Sequence, residues 1–400
     1  MARTRAALRV KIPEPILARY RMTTTPTPRP LPLLRAMIDA LDHDLLQIVA
    51  RRMALVGEVA AAKRVRGLKI RDPERERDVL HDRARRAEEL GLPRGELESI
   101  FRLLLRASRD QQAALRAEVP PNEPTRTVAV VGGRGKIGVV VARLFADLGH
   151  RVLISDVDTD LRAAEAAAAA DVTVISVPMD VTESVIRTVG PHVRPDALLM
   201  DVTSIKEAPV AAMLASTHAS VLGTHPMFGP SVHTLQGQRV VLCRGRGDAW
   251  ADWIARTLVA RGLVITETTP TQHDRVMSVV QVLNHFQTQV FGLTLARSGV
   301  SLEESQPFTS PAYLLELYVA ARHFAQSPAL YGPIEMQNPW SGQVTAAFGA
   351  AARELGEIIA NGDRTAFDAM FAEVGAFFGG FTSEALEQSS YLIDRIVERS

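Results

Sequence analysis

Seven polar side chains between residues 35 and 112 have types and spacings that a plain helical bundle does not require: Arg35, Arg52, Lys63, Asp72, Arg75, Ser108 and Gln112. Arg52 and Lys63 stand eleven residues apart, close to three turns of α-helix, so both point to one side. Ser108 and Gln112 are four apart and share a face. Helices that gather several cations and few anions on inward faces are suited to holding a dianion. Taken singly, Arg35, Arg52 and Arg75 read as a solvated face, and Asp72 reads as a helix cap before Pro73. As a set they argue against a purely structural helix pair, because a buried cation without a partner is costly.

A second group of residues begins at V-A-V-V-G-G-R-G-K-I-G, residues 128–138. Gly133, Gly135 and Gly138 form G-x-G-x-x-G between a β-rich run and a helix, and a second β-rich run ends at Asp156. In that context the motif is a dinucleotide loop. Gly133, Gly135, Lys136, Ile137 and Gly138 are then the expected cofactor contacts, with the pyrophosphate at a helix N-terminus. Asp156 is expected to bond the adenosine ribose and to repel a 2′-phosphate, which favours NAD over NADP; Arg134, in the loop, softens that preference. Further on, V-L-G-T-H-P-M-F-G-P carries His225 at a strand end. Alone, His225 reads equally as a structural histidine; beside a nicotinamide it reads as a general base.

The elements that position these residues follow from apolar rhythm. Residues 33–66 keep a helical period through Leu34, Ile38, Leu41, Leu45, Ile48, Val49, Met53, Val56 and Val59. That length suggests an arm that pairs with another chain. Gly67 ends it, Asp72-Pro73 starts a second helix, and a third covers about 95–117. Short β-rich runs at 128–131, 151–156, 172–178, 197–202, 220–223, 240–243 and 264–267 alternate with helical stretches, the pattern of a doubly wound parallel sheet. After about residue 271 the pattern is all helical. The expected division is a disordered tail over 1–29, an all-α module over 30–118, a linker over 119–126, a Rossmann-type domain over 127–270 and a helical substrate and dimerisation domain over 271–400.

Composition excludes several classes. A formal charge of +1 over 400 residues implies no general affinity for polyanions, so nucleic acid is not an expected partner. No apolar run is long enough to span a bilayer. A single cysteine, Cys243, in an apolar run fits a reducing, cytoplasmic setting and a buried inert thiol. The basic first 28 residues lack serine and are broken by Pro13 and Pro15, which favours a disordered tail over a transit peptide, with Met22 a second candidate start. No metal site is expected.

The first set of residues, extended by Glu76, resembles the active-site pattern of the AroQ-type chorismate mutases from residue 35 to residue 112. The resemblance implies an intertwined all-helical homodimer that converts chorismate to prephenate. In it Arg35 of a second subunit and Arg52 would grip two carboxylates, Lys63 and Gln112 would face the ether oxygen, and Asp72, Arg75, Glu76 and Ser108 would position the ring hydroxyl and carboxylates. The segments D-V-T-S-I-K (201–206), H-P-M-F-G-P (225–230), Q-H-D-R-V-M-S-V-V-Q-V-L-N-H-F (272–286) and E-L-Y-V-A-A-R-H-F-A-Q (316–326) resemble prephenate dehydrogenases, in the order seen in bifunctional T-proteins. This implies that His225 takes the ring hydroxyl proton while hydride passes to NAD. It implies that Arg322 binds a substrate carboxylate, that Ser204 and Lys206 lie near the nicotinamide, and that Gln281 and His285 line the cleft; His273 reads as well as a core histidine. One departure stands out: Leu314 replaces the arginine of the enteric Y-R-L-E-L stretch. It keeps open a 4-amino-4-deoxychorismate version of the same two steps. A dehydrogenase with a non-catalytic dimerising or sensing module, and a silent prephenate-binding regulator, are rivals from other classes. The intact polar set argues against the first, and the glycines with His225 against the second.

Overall fold

The computed structural model describes residues 29–66, 72–115, 124–232 and 234–397. The expected tail, apart from residue 29, and most of the expected linker lie outside these residues. Helix α1 (Leu31–Val65) is a single 35-residue helix, as the apolar period requires. Much of its apolar stripe, including Leu34, Ile38, Leu41, Leu45 and Ile48, is exposed. Helix α2 (Pro73–Glu89) starts with Asp72 as its N-cap, and α3 (Arg94–Leu115) follows a turn at Gly91 and packs on α2. By compactness the described residues fall into two units that divide inside α1, after residue 62.

The α/β part carries seven strands: β1 (Thr127–Val131), β2 (Arg151–Ser155), β3 (Val172–Ile175), β4 (Leu198–Asp201), β5 (Ser220–Pro226), β6 (Arg239–Arg246) and β7 (Val264–Thr268). They form one sheet in the order β2-β1-β3-β4-β5-β6-β7. The five strands β1 to β5 are parallel, and β7 is parallel to β6. Within the expected doubly wound sheet one pair departs from parallel: β6 returns antiparallel to β5. No crossover helix separates those two strands, so antiparallel pairing is the short route back.

Helices α4 (Lys136–Asp147), α5 (Ala163–Ala169), α6 (Met179–Val189), α7 (Glu207–Ser216) and α8 (Asp248–Ala260) cover the sheet. One face buries Val128, Val130, Val174, Leu198, Met200, Leu222 and Leu242 against Phe145, Trp253 and Ile254. The other buries Val131, Ile175, Leu199 and Val221 against Ile186, Val189 and Met213. Burial on both faces explains why the central strands read as unbroken apolar runs. Each fully buried Val or Leu contributes about 1.5–3 kcal/mol. Cys243 lies in this core, and burial pushes its thiol up to about 12, so it is inert.

The remaining chain is helical: α9 (Pro270–Met277), α10 (Asn284–Arg297), α11 (Leu302–Ser305), α12 (Pro311–Phe324), α13 (Pro328–Gln337), α14 (Ser341–Ala360), α15 (Arg364–Phe378) and α16 (Phe381–Val397). A π-helical turn, Ser278–Leu283, joins α9 to α10 without a break. Among the described residues no helix is long and apolar enough to cross a membrane.

Candidate functional site

The glycine loop connects β1 to α4. Gly132, one residue before the motif, takes φ +80, and a Cβ there would meet the Ser176 carbonyl oxygen at 2.3 Å. A Cβ on Gly138 would lie 2.2 Å from the Gly132 oxygen, and one on Gly133 would lie 2.8 Å from the Ile154 side chain. These contacts leave only backbone around the turn, as a pyrophosphate needs. Gly135 is the N-cap of α4, and Lys136 and Ile137 open its first turn. The Ile137 side chain packs toward the core, so its expected contact with a cofactor rests on its backbone alone. Gly132 escaped the sequence reading because it precedes the motif; its signal was the doubled glycine.

At the end of β2, Asp156 accepts the Arg134 backbone N–H through one carboxylate oxygen and the Val157 N–H through the other, both at 2.8 Å. Beside it lies a cavity of about 310 Å³ lined by Gly132, Asp156, Val157, Arg162, Val177 and Val185 among others. The backbone cradle, the helix N-terminus and a carboxylate at this cavity fit an adenine dinucleotide.

The sequence places His225 on β5 and His273 on α9, forty-eight residues apart; the fold brings them together. His225 is 2% exposed, and its Nδ1 lies 2.9 Å from His273 Nε2. His273 Nδ1 lies 2.7 Å from Asp274 Oδ1. The Asp274 carboxylate also accepts the backbone N–H groups of Lys206 and Glu207 at 2.8 and 2.9 Å, which fixes its orientation. A carboxylate only accepts, so His273 carries its proton on Nδ1 and presents a lone pair at Nε2. His225 must therefore donate from Nδ1, and its acceptor lone pair is at Nε2. Gln281, on the π turn, approaches that atom with its amide nitrogen at 3.3 Å. Burial, His273 and Lys206 together hold His225 well below the usual histidine range, hence neutral. The Gln281 Oε1 is buried without a hydrogen-bond partner.

His273 and Asp274 are thus bonded neighbours of His225 that sequence reasoning did not connect to it; the core-histidine reading of His273 overlooked this chain of bonds. Lys206 is buried beside this chain of bonds. It is 0% exposed, and its ammonium is bound to Asp201, to Thr203 Oγ1 at 3.2 Å and to the Thr224 carbonyl at 2.8 Å. Its contribution is to position β4 and β5 beneath His225 and to set the local field. Ser204 is half-buried in the same turn, where Thr203 rather than Ser204 bonds Asp201.

His285 and Arg322 form no hydrogen bond, ion pair or ring contact with His225. His285 packs edge-on to Tyr331 with centroids 4.8 Å apart and lies 3.8 Å from Glu335. Tyr331 stacks on His323, and Gln289 bridges His323 and Glu335 at 3.1 and 2.7 Å. Burial and His323 push His285 down to about 4, and its Nδ1 is buried without a hydrogen-bond partner. Arg322 is exposed beside this cluster. Leu314 lines an apolar groove with Leu302, Leu317 and Phe324, away from His225.

Residues of the N-terminal constellation are distributed as follows. Arg35 is exposed on α1, and Arg52 and Lys63 are half-buried on it. Asp72 Oδ1 accepts the Arg75 N–H at 3.1 Å, so its side chain caps α2. Arg75 is exposed, and Glu76 pairs with Arg109 at 2.8 Å. Ser108 and Gln112 are both 6% exposed on one face of α3. Ser108 bonds the Leu104 carbonyl at 2.6 Å; Gln112 donates to the Ser108 carbonyl at 3.2 Å, and its Oε1 is buried without a partner.

Comparison with known proteins covers all three parts. Residues 34–113 match chorismate mutase type II, 141–288 the prephenate dehydrogenase nucleotide-binding domain, and 269–373 the prephenate dehydrogenase dimerization domain. The chain is 34% identical to a T-protein of Enterobacter agglomerans over 365 residues, covering 91% of this chain and 97% of that one. It is 33% identical to a T-protein of Haemophilus influenzae over 362 residues, covering 90% and 96%. Its fold matches the prephenate dehydrogenase of Aquifex aeolicus solved with hydroxyphenyl propionate and NAD+, with TM-score 0.53 and 17% identity over 64% of this chain and 98% of that one.

Proposed function

The chain belongs to the T-protein family, in which a type II chorismate mutase is fused to a prephenate dehydrogenase, and from that membership we propose how its residues divide the two reactions. It is a bifunctional enzyme of tyrosine biosynthesis that uses NAD. The mutase step is an intramolecular rearrangement, needing neither nucleophile nor base. It needs the reactive conformer held and charge on the breaking ether stabilised. Arg35 of a second copy and Arg52 hold the carboxylates. Lys63 and Gln112 face the ether oxygen; the amide of Gln112 donates at any pH, whereas a glutamate there would have to be protonated. Arg75, Glu76 and Ser108 shape the rest. The exposed apolar face of α1 and the dimerization-domain match support a homodimer.

In the dehydrogenase step NAD accepts hydride from ring carbon four. His225 takes the hydroxyl proton at Nε2, and the positive charge it gains is stabilised through His273 by Asp274. The ring ketone so formed lies vinylogous to the ring carboxylate, which leaves as carbon dioxide. The electron pair ends on the ring oxygen as a phenolate, and His225 returns the proton to it. The proton is borrowed, so no exit path is required. Gln281 orients the hydroxyl, and Arg322 and His285 receive the substrate's carboxylate end. Ser204 lies at the nicotinamide side.

The observation that carries this reading is the hydrogen-bond chain that leaves the lone pair of a neutral, buried His225 at Nε2. The test is the pH dependence of kcat/KM with prephenate and NAD. The acidic limb should lie below the ordinary histidine range and vanish in His225→Asn along with most of the rate. An unchanged profile in that variant would remove His225 from the chemistry. Because Leu314 lies apart from His225, its departure from the enteric pattern gives no ground for an amino substrate.

A further inference from the structure

The cofactor loop contains two opposing instructions. Asp156 at the end of β2 repels a 2′-phosphate, yet Arg134, two residues into the glycine turn, is the kind of cation that accommodates one. The two residues are joined: the Arg134 backbone N–H is bonded to the Asp156 carboxylate. The Arg134 guanidinium does not face the ribose position freely. It is held by Asp158 at 2.5 Å.

The loop that presents Asp158 is closed on itself. Thr159 Oγ1 accepts the Asp156 N–H at 2.7 Å and donates to the Asp156 carbonyl, at 2.9 Å, and the Thr159 N–H bonds the same carbonyl at 3.2 Å. Ser155 Oγ donates to the Leu161 carbonyl at 2.8 Å, fixing the far end. This scaffold sets Asp158 opposite Arg134 by backbone geometry. Val157 between them is fully exposed, so no packing dictates the arrangement.

We propose that Asp158 is a specificity-determining residue for the cofactor: by engaging Arg134 it keeps that guanidinium from serving a 2′-phosphate, and the preference for NAD is a joint property of Asp156 and Asp158. The inference rests on the dinucleotide reading of this loop. The ion pair is solvent-exposed on both sides, so it adds little to folding stability. Its effect is competitive. A 2′-phosphate must displace Asp158 from Arg134 and approach two carboxylates at once. Without the Asp158 charge, Arg134 is available for a charge-assisted, bidentate contact with the phosphate. The charged residues of the glycine motif and the β2–α5 connection are Arg134, Lys136 and Arg162 against Asp156, Asp158 and Asp160. Arg162 also lines the adenosine-side cavity and is the competing source of phosphate affinity.

The test measures binding without turnover. The full-length protein is titrated calorimetrically with ADP-ribose and with its 2′-phosphorylated form. The wild type should bind ADP-ribose and strongly disfavour the phosphorylated ligand. Asp158→Asn should tighten binding of the phosphorylated ligand on the order of tenfold while leaving ADP-ribose within about twofold. The double variant Arg134→Ala/Asp158→Asn should lose that gain, and Arg162→Ala/Asp158→Asn should keep it. The proposal is overturned if Asp158→Asn leaves the ligand ratio unchanged, or if the gain survives loss of Arg134 and disappears with Arg162. A wild type that binds neither ligand while still oxidising prephenate with NAD would overturn it at its premise, independently of His225.

Discussion

The two chemistries of this chain are built on different terms. The proposed dehydrogenase base is enclosed by one chain: His225 on β5, His273 and Asp274 on α9, and Lys206 before α7 are all buried and linked by a chain of hydrogen bonds. The proposed mutase residues of α1 sit on a long helix whose apolar face is largely exposed, and on α3 the Gln112 oxygen is buried with no partner. A base must be held in one tautomer before substrate arrives, so its supports belong to the core. A clamp for a dianion needs only converging donors, and a second copy can supply one of them.

That contrast can be broken from either side. The largest effect is expected at His225. His225→Asn should lower prephenate oxidation about a thousandfold, the upper part of what a general base contributes, with chorismate rearrangement unchanged. Comparable loss of both activities would mean that the sites are not separate. Lys63→Ala should lower chorismate rearrangement on the order of a hundredfold, as expected for a charge-assisted bond lost from the transition state, and leave oxidation of supplied prephenate nearly intact.

Asp274→Asn should have a smaller but distinct effect. An amide can donate to His273 and so reverse the tautomers along the chain. We expect a loss in kcat of about tenfold or more, a shifted acidic limb and little change in KM for NAD. A lower melting temperature with a normal pH profile would instead mark Asp274 as only an anchor for the Lys206 and Glu207 backbone.

The smallest effect concerns stability. His225, His285 and His323 are all held neutral by burial, below the usual histidine value of 6.5. Below pH 6.5 the unfolded chain binds protons that the folded chain refuses, so stability falls as pH is lowered toward about 4, where His285 itself protonates. Denaturant midpoints across that range should decline, and His285→Gln should flatten the slope. A slope unchanged in the variant would contradict the assignment of His285.

What could be read from residues alone follows the same divide. The strands, the long α1 and the glycine loop were readable because apolar period and backbone freedom are local properties. The antiparallel β6 was not, since pairing direction depends on connections. Asp72 was correctly weighed as a cap, because capping acts within three residues. The partners of Lys206 were not legible, because lysine is rarely buried and nothing in the sequence announces that Asp201 and the Thr224 carbonyl converge on its ammonium. Asp274 was missed because its partners are a neighbouring histidine and a backbone sixty-eight residues away.

The central claim is that one chain carries two separable sites joined by a common intermediate. The most direct measurement supplies chorismate and NAD to the wild type and to His225→Asn, and identifies products by mass. The wild type should yield 4-hydroxyphenylpyruvate, carbon dioxide and NADH, and the variant should stop at prephenate. A variant that still forms 4-hydroxyphenylpyruvate at the wild-type rate, or one that leaves chorismate unconverted while properly folded, would contradict the account.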